Sequence, residues 1–402
     1  MLGVVLVTAV LTSCGGGADD AARTVLVDYR ADDFASSFLN YYPRNIAVHP
    51  GDTITFKQTW TGEPHSVTMG TAVNAFLKYL PYFEKYENDD AARAAGVDQS
   101  YIDEVNRNTV VIPGMTDRTG AIYQPGARPC FIERQSDVPA YLDADDNLRH
   151  TPDTDCPPGG DVQPAFTGRQ AFYNSGYIPF QGQGANTFTV RIAKDAAPGT
   201  YAYFCNYHWV GMQGTVKIVA KSQRVPSPAA VRRTARDQAE RDARATFAAA
   251  RKEARAAKPV AGVAARPLYA PRYVSANEYF PHAIRTKVGE PVTWRVDGLA
   301  HTISFNVPSY FPVFTLKRNG DVNYDARASR PAKWTVPPPT EENFTPQPRT
   351  IDVGEWNGSG GFHSSGLLND GDSFTLRFTK PGTYPYACAV HPQMIGRVVV
   401  TA

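Results

Sequence analysis

Charge of either sign is something this sequence has little of to spare: 41 lysines and arginines stand against 39 aspartates and glutamates in 402 residues, a net of +2. That balance offers no basic stripe for a phosphate backbone and no block of like charge, so nucleic acid is excluded as an expected partner. Long apolar runs are short as well. The one at the N-terminus covers residues 1–13, below the roughly 20 residues that a membrane-spanning helix needs. Cysteine is scarce, with five in all, so each can be accounted for individually.

Two of the five cysteines stand in a repeated context. Pro198-Gly199-Thr200-Tyr201-Ala202-Tyr203-Phe204-Cys205-Asn206-Tyr207-His208 returns as Pro381-Gly382-Thr383-Tyr384-Pro385-Tyr386-Ala387-Cys388-Ala389-Val390-His391, and a methionine follows each, Met212 and Met394. A thiolate, an imidazole and a thioether on one short loop are soft to borderline donors, which suit copper and suit magnesium or calcium badly. One Cys-x-x-His is a chance event. Two copies with a shared lead-in point to a double copper protein.

The lead-in explains how the sulfur is presented. Pro-Gly makes a turn, and period-two alternation in the following strand puts Tyr201, Tyr203 and Cys205 on one face, as it does Tyr384, Tyr386 and Cys388. Alternating strands precede each turn, with Phe188, Val190 and Ile192 in one copy and Phe374, Leu376 and Phe378 in the other. A glycine and a β-branched run follow each loop, from Gly214 and from Gly396. Hairpins of this kind predict β-sandwiches. Upstream, Tyr42-Pro43 and Phe280-Pro281 open two more matching stretches, which close on Pro64-His65-Ser66 and Ala300-His301-Thr302. His65 and His301 are the second imidazoles that three-coordinate sites need, supplied from a different part of each sandwich.

These residues resemble the cupredoxins, or blue copper proteins, among them plastocyanins, amicyanins and azurins. The resemblance implies an all-β fold of two Greek-key sandwiches and two type 1 copper sites. Their ligands would be His65, Cys205, His208 and Met212 in the first and His301, Cys388, His391 and Met394 in the second, each methionine a weak axial ligand. The loops, Cys-x2-His-x3-Met and Cys-x2-His-x2-Met, are at the short end for the family and look most like those of amicyanins. The resemblance covers the two sandwich cores and does not extend to the long segments between His65 and Cys205 or between His301 and Cys388.

The expected organisation is a signal peptide over 1–13, a tether over 14–25, a first cupredoxin domain over 26–220 with an insertion at about 70–166, a helical linker over 221–267, and a second domain over 268–402 with an insertion at about 307–350. Leu11-Thr12-Ser13-Cys14-Gly15 resembles a bacterial lipobox with Cys14 as the lipidated residue, which implies a membrane-anchored, extracytoplasmic lipoprotein; the other reading is a secretory signal in which Cys14 is incidental. Cys130 and Cys156 remain, both in the first insertion. A disulfide is the expected fate of such a pair in an oxidising compartment, and a third metal site is the alternative. Ser227-Pro228 starts a stretch rich in Ala, Arg, Glu and Lys that reads as a helix, polar nearly all round, hence a strut in solvent or a docking face for an acidic partner. Residues 72–86 and 89–106 also look helical.

Three functions follow. Electron transfer with redox partner proteins is the expectation. Copper capture or delivery at the cell surface is the alternative, and a copper oxidoreductase stands third, because enzymes of that kind carry a further ligating histidine directly beside the blue-site cysteine. Here Cys205 is flanked by Phe204 and Asn206, and Cys388 by Ala387 and Ala389. His49, His150, His282 and His363 are scattered and unassigned, with a role behind the second site open to His282 and His363.

Overall fold

The computed structural model describes residues 22–31, 36–58, 65–86, 89–108, 129–134, 163–178, 186–205, 208–253, 255, 258–264, 273–298, 301–307, 314–316, 322–324, 349–391 and 393–402. Within them the chain is mostly β-strand. The first half holds β1 (Arg23–Val27), β2 (Ser36–Leu39), β3 (Tyr41–Tyr42), β4 (Asn45–Val48), β5 (Thr53–Gln58), β6 (His65–Met69), α1 (Thr71–Lys85), α2 (Asp89–Ala94), α3 (Gln99–Asn108), β7 (Pro129–Ile132), β8 (Phe172–Ile178), β9 (Thr187–Arg191), β10 (Gly199–Cys205) and β11 (Trp209–Ile218). Helix α4 (Pro228–Glu253) follows. The second half holds β12 (Val260–Ala264), β13 (Tyr273–Phe280), β14 (Ala283–Lys287), β15 (Pro291–Val296), β16 (Ser304–Phe305), β17 (Phe314–Leu316), β18 (Val322–Tyr324), β19 (Thr350–Trp356), β20 (His363–Ser364), β21 (Ser373–Phe378), β22 (Gly382–Ala387) and β23 (Ile395–Thr401).

The two halves repeat one another strand for strand. The order β3-β1-β5-β9 in one sheet of the first half matches β13-β12-β15-β21 in the second, and β4-β11-β10-β6-β8 matches β14-β23-β22-β16-β20. Even the minority parallel pairs recur: β1 with β5 and β12 with β15, β4 with β11 and β14 with β23. Each half is therefore a two-sheet sandwich of the expected cupredoxin-like, Greek-key kind. Alternation along the strands fills each interior. Val25, Val27, Ile54, Phe56, Val190 and Tyr203 pack in the first core, and Trp294, Val296, Phe374, Leu376, Phe378 and Tyr386 in the second. The glycine after each loop has a steric cause. A Cβ at Gly214 would come within 2.5 Å of the Tyr203 ring, and one at Gly396 within 2.6 Å of the Tyr386 ring.

The halves share a seam. Strand β2 leaves the first sandwich and extends a sheet of the second, pairing antiparallel with β13 at Phe38↔Val274, Ser37↔Ser275 and Ser36↔Ala276. Strands β2 and β3 together correspond to β13: the stretch 36–42 and the stretch 273–280 run up to the matching Tyr42-Pro43 and Phe280-Pro281 bonds. Asn277 Nδ2 donates to Ser37 Oγ across the seam at 2.6 Å.

Helix α4 corrects the strut expectation. It lies against β1, β3, β12 and β13, with Val231, Ala235, Ala239, Asp242, Ala243, Thr246 and Ala250 buried along one face. Spacings of three and four residues place these on a single stripe. The stripe is built from alanine, whose small apolar surface hardly registers as amphipathic, and so the sequence reads as polar all round. Ala235, Ala239 and Ala243 meet Phe38, Tyr42 and Val274, one apolar cluster drawn from both halves. Asp242 accepts from the Tyr42 hydroxyl at 3.0 Å and from Asn40 Nδ2 at 3.4 Å, which satisfies the one buried acid on that face. On the outer face, Glu240 meets Arg236 and Arg244 at 3.8 and 3.7 Å.

In the first insertion α1 and α3 pack around Tyr79, Tyr82, Ala92, Ile102 and Val105. Helix α1 also lies on β10, where Phe76 stacks near Phe204 at 6.2 Å and the Asn74 side-chain Oδ1 accepts from the Ala202 amide at 2.7 Å. It braces the outside of the strand that carries Cys205. Most of the second insertion lies outside the described residues, apart from the β17–β18 hairpin.

Candidate metal centres

Each cysteine sits where the repeat of strands places it, at or just past the end of the central hairpin's first strand. In the first half Cys205 ends β10 and is paired with Trp209 of β11 after a register shift beyond Phe204, which opens room for the loop that brings back His208. Strand β6, antiparallel to β10 at Thr68↔Phe204, starts at His65 and so sets that histidine beside the sulfur. The second half repeats this with β16 against β22 at Ser304↔Ala387, while Cys388 N–H donates to the Met394 carbonyl at 2.9 Å across the loop base.

The donors converge. Cys205 Sγ lies 4.0 Å from His65 Nδ1 and 3.6 Å from His208 Nδ1, and the two imidazole nitrogens are 3.1 Å apart. In the second half Cys388 Sγ is 3.7 Å from His391 Nδ1, which is 3.1 Å from His301 Nδ1. Each trio of donor atoms falls within 4.8 Å, and all six residues are buried. Met212 and Met394 are buried in the same cores as their cysteines.

The surroundings favour a thiolate. Burial alone would raise each thiol, but the two imidazoles beside it outweigh burial and hold Cys205 and Cys388 well below the usual thiol range. Backbone amides assist: Ser66 N–H donates to Cys205 Sγ and Thr302 N–H to Cys388 Sγ, both at 3.4 Å, and Val390 N–H reaches Cys388 Sγ at 3.4 Å. Those amides are fixed from behind. Tyr41 donates its hydroxyl to the Ser66 carbonyl at 2.5 Å, and Tyr279, its equivalent, donates to the Thr302 carbonyl. The sequence signal for these tyrosines lies beside the matching Tyr42-Pro43 and Phe280-Pro281 pairs, each of which a tyrosine precedes.

One residue behind the first site has no counterpart in the motifs. His65 Nε2 lies 2.9 Å from Asp28 Oδ2, with both side chains fully buried. Burial would lower the His65 imidazolium, but Asp28 and the Cys205 sulfur raise it to about 10. A carboxylate can only accept, so Nε2 carries a proton toward Asp28, and Nδ1 is the ring nitrogen that faces the sulfur.

The other histidines stand apart. His49 Nε2 contacts the Gln223 carbonyl at 2.8 Å, His282 pairs with Glu278 at 3.3 Å, and His363 stacks on Trp356 with Nδ1 on the Gly361 carbonyl at 2.7 Å. His150, Cys14 and Cys156 lie outside the described residues, as does the Cys130 side chain, so the expected lipid anchor and disulfide fall there.

Both trios suit copper by donor chemistry: one cysteine sulfur and two imidazole nitrogens, buried, with a thioether in the same core. No family profile matches the sequence, and no curated protein does. Among solved structures the chain is similar to amicyanin variants. A proline-to-glycine variant in the reduced Cu(I) form at pH 4 is 20% identical, with 31% of this chain and 73% of the other covered and a TM-score of 0.18. A reduced tryptophan-to-tyrosine variant is 19% identical and an oxidised methionine-to-leucine variant 18%, each with the same coverage and TM-score. At this level of likeness the reading of the centres rests on their own geometry.

Proposed function

We propose that this protein is an extracytoplasmic type 1 copper protein that holds two copper ions per chain and carries electrons to and from redox partner proteins, tethered to the membrane through a lipid on Cys14. The observation that carries the reading is the duplicated buried trio, His65, Cys205 and His208 and again His301, Cys388 and His391. Met212 and Met394, buried in the same cores, would complete the two sets as thioether donors.

Bound copper would supply a one-electron couple, and the protein's part is to hold its donors still. In each half the upstream histidine and the cysteine stand on or beside two neighbouring strands of one sheet, β6 with β10 and β16 with β22, packed against the sandwich core, so the donor atoms keep their places whatever the charge at the centre. Ser66 and Thr302 amides stabilise the sulfur charge, and the Tyr41 and Tyr279 hydroxyls keep those amides aimed. Burial excludes water from the donors. His208, at 8% exposure, is the first-site ligand nearest solvent and the natural point of electron entry or exit.

Metal analysis of the purified chain should find two coppers, with an intense thiolate-to-copper absorption in the oxidised form and copper retained through repeated reduction. Rapid loss of copper to a modest chelator on reduction would instead identify a delivery protein. The anchor is tested separately: Cys14→Ser should move the protein from the membrane to the soluble fraction, and an unlipidated, soluble wild type would remove that part of the reading.

A further inference from the structure

Among the described residues, the two centres differ in a buried carboxylate behind the upstream histidine, and that difference sits at a single backbone position. Strand β1 runs parallel to β5 and ends with Val27 opposite Gln58, the last residue of β5. Strand β12 runs parallel to β15 with Ala261 opposite Val296, the last residue of β15. The residue that follows is therefore the same place in both sandwiches: Asp28 in the first, Gly262 in the second. Backbone conformation agrees, since both are left-handed, with φ of 65° and 76°.

What each does to its histidine is opposite. Asp28 puts Oδ2 on His65 Nε2, while its Oδ1 accepts the amides of Tyr29 at 2.6 Å and Phe38 at 2.9 Å. Three donors on one fully buried carboxylate fix both its position and its negative charge. Gly262 instead lies directly against the second histidine: a Cβ there would come within 2.2 Å of His301 Nε2 and 2.5 Å of the Asp297 carbonyl. No side chain, and hence no carboxylate, fits at that place behind His301.

We propose that Asp28 grades the two centres, making the first the lower-potential member of the pair and leaving the second, backed by Gly262, the higher. This rests on the copper reading above. A carboxylate that accepts from the far nitrogen of a ligating imidazole makes the near nitrogen more electron-rich, and its buried charge favours the dipositive ion over the monopositive one. The chain then takes up its two electrons at two separate potentials.

The test is a redox titration of the copper-loaded full chain, followed through the thiolate-to-copper absorption. Cys388→Ser and Cys205→Ser variants isolate the first and second centres. The wild type should show two one-electron steps, with the lower one retained in Cys388→Ser. Placing Asp28→Gly in that background should raise its step toward the second centre's, by about tenfold in the Cu(II)-to-Cu(I) affinity ratio, or about 59 mV for one electron. First-centre copper affinity should fall about 10- to 100-fold, and the second centre should not move. Asp28→Asn, closer in shape, should shift the step in the same direction and covers the case in which the glycine variant folds poorly. The comparison of the two single-centre chains checks the order of the two potentials without touching Asp28 at all, and the Asp28 variants assign that order to the carboxylate. Equal potentials, a higher first centre, or a copper-loaded Asp28 variant with an unmoved step would overturn the grading while leaving the copper reading intact. A chain that takes up no copper would overturn both.

Discussion

The two halves of this chain agree in their donors and disagree in what stands behind them. Strand order, parallel pairs, the cysteine-to-histidine spacing and the tyrosine that anchors the sulfur-bonding amide are common to both. Among the described residues, α1 braces the cysteine strand of the first half, and a carboxylate stands on its upstream histidine where the second half has Gly262. The second has a shorter loop, with Met394 three residues after His391 where Met212 comes four after His208. Primary donors are held by short local motifs and copy together. Supporting residues come from distant strands, where each half is free to differ.

The largest test of that division is removal of one sulfur at a time. Cys205→Ala should abolish copper at the first centre and leave one ion per chain with the second centre's absorption unchanged; Cys388→Ala should do the reverse. Loss of both ions from either variant would show that the halves are not separable metal sites. Next comes the seam. Phe38 is fully buried among residues of both halves, so Phe38→Ala should cost about 3–5 kcal/mol in denaturant unfolding, with the two halves losing structure in one transition. Separate transitions in the wild type would mean that the seam does not couple them.

Smaller effects sharpen the likeness instead. Tyr41→Phe and Tyr279→Phe each delete one buried hydroxyl bond and should each cost about 1 kcal/mol, with a matching change in the absorption of the centre concerned. A large effect in one half and none in the other would break the equivalence of the two tyrosines. The smallest expected effect is on the outer face of α4, where Glu240→Gln removes two exposed ion pairs and should change stability by no more than about 0.5 kcal/mol.

Much of this architecture could be read in advance because the decisive residues recur in short runs. Cys205 and His208 share one loop, and the alternation of Tyr201, Tyr203 and Cys205 already fixes which way the sulfur points. His65 and His301 were found through matched flanks. Asp28 was not legible: four strands, β2 to β5, separate it from His65 along the chain, and the repeat gives no hint because its equivalent is a glycine. The packed face of α4 escaped for a different reason, since a stripe of alanines carries too little apolar surface to stand out from the charged residues around it. The pairing of β2 with β13 joins segments more than two hundred residues apart, and no local pattern encodes such a contact.

That pairing has a consequence for how the two centres could come to differ. Equivalent strands meet antiparallel about Ser37 and Ser275, with Phe38 against Val274 and Ser36 against Ala276. This is the self-complementary arrangement of a two-fold homodimer interface, here closed within a single chain. In a homodimer every substitution is made twice, and a carboxylate behind one histidine appears behind the other. Covalent fusion lifts that constraint: Asp28 and Gly262 can occupy symmetry-related places, and the pseudo-dimer can hold unequal centres on one scaffold.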